Sequence, residues 1–526
     1  MSDDSVRPAD IHAGATTGTQ TLRALARFPD RTAFSWDGGS LSYAGTSDMI
    51  GRMQRVFSQS GLERGQRVAV LSANRVESWC ASVAAQALGL VTTALHGLAS
   101  LEEQAAQVED AEVDALVVDA SGYGARGGDL AARLSGRGQV FTLGAADYGR
   151  DLVAAAEAAG TQSPRDLARP GDMAILNYTG GTTGKSKGAF RTHRRLAVAT
   201  TATLADFEIP DRARYLAVAP ISHVAGSKVL PALVRGGSIH LMRGFDPAAV
   251  LATIARERIG MTLLVPTMIY ALLDCPALGS TDLSSLELLL YGASPMSPTR
   301  LVEGLERIGP VFSQLYGQTE CYPLTVLRRE DHDAARPELF AACGFPVTTC
   351  DVRLLDDDGN EVAQGQPGEI CARGPYVMDG YLKMPEQTAE TLKHGWLHTG
   401  DMAVADERGY LYIVDRKKDL IVTGGFNVYP RGVEDVLTSH AAVAQAAVIG
   451  VPDPKWGEAV MALVVLRPGA AVDEASLAQL VRDRLGSVQA PKRVEFVEAL
   501  PTTGVGKVDK KVLRARFWAG QTRMVG

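Results

Sequence analysis

The chain is poor in cysteine chemistry. Its six cysteines (Cys80, Cys275, Cys321, Cys343, Cys350 and Cys371) are scattered, and no two form a Cys-x-x-Cys pair. That spacing argues against a zinc site and against a disulfide framework, and it predicts reduced, structural thiols. Long apolar runs are absent as well: none approaches the ~20 residues of a membrane span. The longest, Leu263 to Leu273, contains Pro266 and predicts a buried strand passing into a helix. Basic residues are outnumbered, with 53 Lys+Arg against 60 Asp+Glu and a net charge of −7. A mildly acidic chain is a poor candidate for non-specific nucleic-acid binding, which needs clustered Lys and Arg. The N-terminus, MSDDSVRPADIHAG, has two early acids and no apolar core, unlike a secretory signal. Together these absences predict a cytoplasmic protein. What is present is 46% hydrophobic and 21% charged residues, an ordinary globular composition. A chain of 526 residues exceeds one compact core and predicts about two to four structural units.

Along the first four-fifths, short β-rich runs alternate with helical periodicity. Arg67–Ser72 precedes a helical pattern from about 75 to 88, and Val91–Leu95 follows. The rhythm returns at Ala115–Asp119, Ala174–Asn177, Leu216–Ala219, Thr262–Val265 and Leu286–Leu290. Strands separated by helices predict parallel sheets with covering helices. From about Asp351 the texture changes to short strands around Val352, Glu369–Arg373 and Tyr410–Val414, which predict a β-rich subdomain over about 345–416. Past the charged break Asp415–Asp419, a small α+β C-terminal domain is expected over 417–526, leaving 1–416 as the N-terminal domain. A cleft between two such domains is a usual place for a ligand.

Four stretches carry chemistry. Tyr178-Thr-Gly-Gly-Thr-Thr-Gly-Lys-Ser-Lys-Gly188 follows directly on a strand. Its glycines bring backbone N–H groups close to an anion, its threonines add hydroxyl donors, and Lys185 and Lys187 add charge. It is a phosphate cradle by chemistry, but not the P-loop, because Thr179 stands where that pattern needs its first glycine. A flexible turn with solvated lysines would leave so many donors without a purpose. Leu315-Tyr-Gly-Gln-Thr-Glu-Cys321 sets a carboxylate beside a hydroxyl, a pair that holds Mg²⁺ together with phosphate oxygens, although a lone Glu320 is equally a surface acid. Gly395-Trp-Leu-His-Thr-Gly-Asp401 offers a loop aspartate suited to a ribose diol, or simply to a turn. Pro501-Thr-Thr-Gly-Val-Gly-Lys-Val-Asp-Lys-Lys511 puts Lys507 between a glycine turn and a helix start, where most lysines are only solvated.

In this order and spacing the four stretches, with Thr423-Gly-Gly-Phe-Asn-Val-Tyr-Pro430, resemble the adenylate-forming superfamily of acyl-CoA synthetases, peptide-synthetase adenylation domains and luciferases. The resemblance runs from about Thr21 to Arg514. It implies ATP-dependent activation of a carboxylic acid as an acyl-adenylate, with release of pyrophosphate, and then displacement of AMP by the thiol of coenzyme A.

The resemblance also implies roles. Thr179, Gly180, Gly181, Thr182, Thr183, Gly184, Lys185 and Lys187 would wrap the β- and γ-phosphates. Thr319 would touch the α-phosphate and Glu320 would hold Mg²⁺. Gly292, Ala293, Ser294, Tyr316 and Gly317 would border the nucleotide, with Asp401, Ile413 and Arg416 at the ribose side. Lys507 would bridge the carboxylate and the α-phosphate, stabilising the charge that develops at phosphorus. Lys418 matches the hinge; rotation about it would withdraw Lys507 and bring Gly424, Gly425 and Phe426 to a coenzyme A channel. His223, in Pro220-Ile-Ser-His-Val-Ala-Gly226, matches the gate beside the acyl site, although a histidine there is equally a packed structural residue. Two positions depart from the family pattern, Gly180 for its usual Ser and Ser186 for its usual Pro. The loss of one hydroxyl donor predicts retained but altered ATP handling.

The acid is less legible. No aspartate stands near His223 to pair with an ammonium, and Lys228 would repel one, so an amino-acid substrate is disfavoured. The expected acyl-pocket wall is His223, Val265, Tyr291, Gln314, Gln318, Cys321 and Tyr322, a mixture suited to a small or medium apolar acid or an aryl acid. Tyr291 is expected to shorten the pocket. Coenzyme A is the default acceptor, since the chain has no room for a carrier domain. A separate carrier protein, an amine acceptor, or a non-carboxylate oxyanion such as nitrite as substrate stays open. So do a non-catalytic nucleotide-binding regulator and a hydrolase releasing ADP.

Overall fold

The computed structural model describes residues 14–134, 136–179, 186–502 and 508–518. They fall into two compact units, one of residues up to 351 with 372–395, the other of 352–371 with 396 onward.

The first unit contains two large sheets. In the eight-stranded sheet, Arg67–Leu71 lies between the parallel strands Val91–Ala94 and Ala115–Asp119. Ala115–Asp119 is buried at every position, as expected of a parallel strand covered on both faces. Towards one edge, Met173–Thr179 and Lys187–Thr192 form an antiparallel pair, and Gly380–Tyr381 adds to the second.

In the nine-stranded sheet six neighbours run parallel, in the order Phe312–Gln318, Leu288–Gly292, Met261–Leu264, Arg214–Ala217, Ser238–Leu241 and Thr32–Trp36. The strand expected at Leu216–Ala219 thus begins and ends two residues earlier, and that at Leu286–Leu290 two residues later. The predicted strand-to-helix passage at Pro266 is present: Met261–Leu264 ends at Val265, and the helix Pro266–Asp274 opens with proline at its first position, where a missing N–H costs nothing. The core beside it gathers Ile254, Leu264, Ile269, Leu289, Tyr291 and Phe312.

The second unit holds a four-stranded sheet (Asp351–Leu355, Gly368–Arg373, Leu397–Ala405, Leu411–Arg416) and a five-stranded one built around the long hairpin Val443–Asp453 and Gly457–Leu466. Helices Pro430–Thr438 and Glu474–Leu485 cover the latter through Val433, Leu437, Leu477 and Val481. The β-rich stretch, expected to go with the N-terminal domain, here groups with the C-terminal segment. One contact between them is the Arg431 N–H donating to Asp415 Oδ2 at 2.8 Å; within the C-terminal segment Arg514 pairs with Asp419 at 2.7 Å. Among the described residues no helix is long and apolar enough to cross a membrane.

Candidate active site

In the first unit the candidate residues collect where parallel strands end. His223 follows Arg214–Ala217, Val265 follows Met261–Leu264, Gly292–Ser294 follows Leu288, and Thr319–Glu320 closes Phe312–Gln318. Carboxyl ends of parallel strands are where open α/β sheets bind ligands, because backbone N–H groups and side chains from several loops converge there.

Thr319 and Glu320 form the two-residue connection between Phe312–Gln318 and Cys321–Leu327, with Gln318 paired to Cys321. The Tyr381 hydroxyl donates to Glu320 Oε1 at 2.7 Å and so fixes the carboxylate's direction. Lys187 Nζ lies 5.0 Å from the centre of the same tyrosine ring. Tyr381 therefore joins the glycine–threonine stretch to the acidic turn. Sequence reasoning missed it, since it lies 61 residues beyond Glu320 and no local pattern marks it. Burial and the Glu320 carboxylate hold its phenol well above the usual range. Arg191, buried behind Glu320 and Asp379, is pulled down by that burial. One carboxylate with an adjacent hydroxyl suits a magnesium ion that keeps most of its ligands as phosphate oxygens and water.

The flanks of the phosphate stretch pair Thr179 with Lys187 across an antiparallel hairpin. The connection thus leads from strand to strand, unlike the strand-to-helix turn of a P-loop. Gly180, Gly181, Thr182, Thr183, Gly184 and Lys185 lie outside the described residues.

At the end of Leu288–Gly292, Ala293 sits at φ +66°, a left-handed conformation that costs a non-glycine residue about 1 kcal/mol or more. Such strain collects at ligand sites. A Cβ on Gly292 would come within 2.4 Å of Leu315 O, so only glycine lets the two strands close here. On Gly317 it would meet the Tyr322 ring at 2.8 Å.

His223 caps the short turn Val224–Lys228. Its Nδ1 is 2.8 Å from Ser222 Oγ, and its ring meets His96 edge-on at 4.6 Å. The residue is exposed to solvent although densely surrounded, as a side chain lining a concave opening would be. Desolvation, then His96, lowers its pKa to about 4, so it is a neutral imidazole near pH 7. Asn74 clamps the segment: its Oδ1 accepts from Ile221 N–H at 2.8 Å, and its Nδ2 lies 3.1 Å from the carbonyls of Ala217, Ala219 and Met242. His96 and Asn74 reach the site from the other sheet, beyond the range of sequence pattern.

The expected acyl-pocket wall is not brought together as one surface. Tyr291 is fully buried, and its hydroxyl lies 2.9 Å from His332 Nε2 and 3.2 Å from Gln314 Oε1. Its ring packs on Phe312. This placement makes Tyr291 and Gln314 core residues and corrects the expectation that Tyr291 shortens a pocket. Cys321 and Tyr322, adjacent on one strand, point to opposite faces. Cys321 packs with Cys350 and Arg191, whereas Tyr322 meets Lys228 and Phe207. Val265 and Gln318 are half-buried at strand ends.

In the second unit Asp401 is buried, and its Oδ1 pairs with Arg416 Nε at 2.9 Å across the antiparallel strands. Ile413 lies on the same strand as Arg416. A further acid organises them. Glu369 Oε1 accepts from Gly400 N–H at 2.8 Å, and its Oε2 lies 3.0 Å from His398 Nδ1 and 3.1 Å from Lys417 Nζ. Burial opposes its charge, but these partners hold its carboxyl below the usual range. Glu369, Cys371 and His398 are the one trio of close metal-capable side chains among the described residues. Lys417 on the carboxylate makes the trio a hydrogen-bonded hub.

Lys418, in the turn Lys417–Asp419, is lowered to about 8, chiefly by burial. Gly424 and Gly425, at φ +57° and +83°, turn the hairpin that presents Phe426, 60% exposed. Lys507 lies outside the described residues. On either side of it Thr502 pairs with Val508, and the helix Lys510–Ala515 is held by Lys510–Glu434 at 2.7 Å and Arg514–Asp419.

Comparison with known proteins accounts for both units. Residues 22–382 match the family model of the AMP-binding enzyme, and 432–507 that of the AMP-binding enzyme C-terminal domain. The chain is 45% identical to a medium/long-chain-fatty-acid–CoA ligase, FadD8, of Mycobacterium tuberculosis, over 100% of this chain and 94% of that one. It is 36% identical to a feruloyl-CoA synthase of an Amycolatopsis species, over 95% and 99% of the two chains. Among solved structures it resembles the amide bond synthetase McbA of Marinactinospora thermotolerans, with a TM-score of 0.88 at 36% identity, covering 95% of this chain and 100% of that one. On these matches the chain belongs to the AMP-binding enzyme family.

Proposed function

We propose that the chain is an AMP-forming acid–thiol ligase. ATP and a carboxylic acid give an acyl-adenylate and pyrophosphate, and the thiol of coenzyme A then displaces AMP. The observation that carries this reading is the chain Lys187–Tyr381–Glu320, which links the phosphate stretch to the acidic turn at the strand ends.

A carboxylate is a poor electrophile because its charge is delocalised, and esterification to AMP supplies the leaving group. In this reading Thr319 donates to the α-phosphate, and Glu320, aimed by Tyr381, holds Mg²⁺. The metal neutralises phosphate charge when bound. Asp401, fixed by Arg416, takes the ribose hydroxyls. Lys507 supplies a positive charge to the oxygens of the forming acyl phosphate. Neutral His223 borders the acid and offers a hydrogen bond without attracting a second anion. Lys418 is the hinge, and Gly424, Gly425 and Phe426 border the thiol's path. The domain boundary belongs near 417 in this reading, and the six free cysteines fit a reducing, cytoplasmic setting.

The relatives' names support coenzyme A as acceptor and an apolar or aryl acid as substrate. An amine acceptor is the second reading, because a similarly close structure is named an amide bond synthetase. Release of AMP from ATP, measured across fatty and aryl acids with coenzyme A, with an amine, or with neither, separates the two. Coenzyme-A-dependent AMP supports the ligase, and amine-dependent AMP the synthetase. ADP release would contradict both.

A further inference from the structure

Lys228 ends the turn that begins beside His223 and is 0% exposed. Its Nζ lies 4.7 Å from the Phe207 ring centre and 4.5 Å from that of Tyr322. It donates to Ser227 Oγ at 3.2 Å and hydrogen-bonds the Tyr322 hydroxyl. Ser227 donates onward to Val224 O at 2.6 Å. Among the described residues no carboxylate pairs with Lys228. The acids flanking Phe207 are spent elsewhere, Asp206 on Thr348 and Glu208 on Arg329.

An amine buried among hydroxyls and rings is expensive to charge. Burial alone brings it to about 7. A methionine would fill much of the same volume without that cost. A residue that costs stability and touches two candidate loops is one whose compensation lies in function.

We propose that Lys228 is a positioning residue of the adenylation site, tying the turn that carries His223 to the strand that leaves Glu320 by way of Tyr322. The inference rests on the ligase reading above. Tyr322 is the second residue past Glu320, and its ring also packs on Gly317, on the other side of the Thr319–Glu320 turn. It stacks on Phe207 at 6.4 Å. Displacing its hydroxyl therefore moves both sides of that turn. At the other end, Gly226 presses on Ile221 O and so couples Lys228's turn to the His223 segment.

The charge state sets the coupling. As an ammonium it donates to both Ser227 Oγ and the Tyr322 hydroxyl; as an uncharged amine it also has one lone pair, with which it can instead accept a hydrogen bond from the Tyr322 O–H. The titratable group facing it is the phenol of Tyr322; Tyr215, which interacts with Tyr322, donates its hydroxyl to Ala225 O on the same turn at 3.0 Å. Both are held above the usual range by burial. His223, on the same turn, faces Ser222 and His96 instead.

The test is acid-dependent exchange of pyrophosphate into ATP, from about pH 6 to about pH 9, for the wild type, Lys228→Met, Tyr322→Phe and Lys228→Arg. The wild-type kcat is expected to rise through an ionisation near 7. Lys228→Met should melt no lower than the wild type, lose that ionisation, and drop in kcat about tenfold with the KM for ATP unchanged. Tyr322→Phe should show the same loss. Lys228→Arg, always charged, should not restore it. Wild-type kcat and pH profile in Lys228→Met or in Tyr322→Phe would overturn the proposal while leaving the ligase reading intact. No exchange by the wild type with any acid would overturn the ligase reading, and this proposal with it.

Discussion

Glu320 is one acid among many, and what distinguishes it is a tyrosine far along the chain. Replacing Tyr381 with phenylalanine removes the hydrogen bond and keeps the ring beneath Lys187. The expected result is a loss of about tenfold or more in kcat/KM for pyrophosphate exchange. The melting temperature should change little, because one hydrogen bond contributes only about 1 kcal/mol net. An unchanged rate would remove Tyr381 from the site. Lys228 makes a separate prediction about stability. Its folded value of about 7 lies below the ordinary 10.5. Between those values the unfolded chain binds more protons, so the Lys228 contribution to stability rises with pH. Below about 7 its full cost is present. The gain in melting temperature from Lys228→Met should therefore be largest at or below neutral pH and shrink as pH approaches 10.5. A gain independent of pH would contradict the assignment. At this scale the sequence reveals residue types inside motifs. Thr319, Glu320, Asp401 and Arg416 stand out as candidates because each sits in a short, chemically dense run. Tyr381, His96 and Asn74 do not, because they arrive through pairing of distant segments. Tyr291 was misread because position next to a motif does not say which face of a strand a side chain takes; this one faces the core.

Turns and strand ends hold these residues in place. The Pro220–Gly226 segment depends on a glycine: a Cβ on Gly226 would lie 1.8 Å from Ile221 O. Gly226→Ala should destabilise by about 2 kcal/mol. It should also disturb His223, so activity should fall further than stability alone predicts. Differential scanning calorimetry beside the exchange assay checks this, and a variant normal in both would show that the turn relaxes freely. The Asp401 turn depends on Glu369, which collects Gly400, His398 and Lys417. Glu369→Ala removes the acceptor shared by Gly400, His398 and Lys417, while Lys417 keeps Asp357 as a partner, and should cost about 2 kcal/mol. If the hub positions Asp401 for the ribose, the KM for ATP should rise more than kcat falls, and steady-state kinetics with varied ATP reads that split. Strand and helix rhythm was legible from hydrophobic periodicity to within about two residues, the usual uncertainty of element ends. The strain at Ala293 was not, since an alanine carries no signal for a left-handed backbone.

At the scale of the whole molecule, alternating strands and helices announced the parallel sheets, and the change of texture near Asp351 announced the β-rich stretch. How that stretch groups with its neighbours depends on contacts such as Arg431 N–H to Asp415 and Lys417 to Glu369, which leave no local trace in the sequence. As a whole the molecule is proposed to activate an acid with ATP and hand it to coenzyme A. The most direct test is AMP formation from ATP with a panel of fatty and aryl acids, with and without coenzyme A, for the wild type beside Lys507→Ala. AMP that requires both an acid and coenzyme A, and falls about a hundredfold in the variant, is the predicted result. AMP release indifferent to coenzyme A, or undiminished by the loss of Lys507, would contradict it.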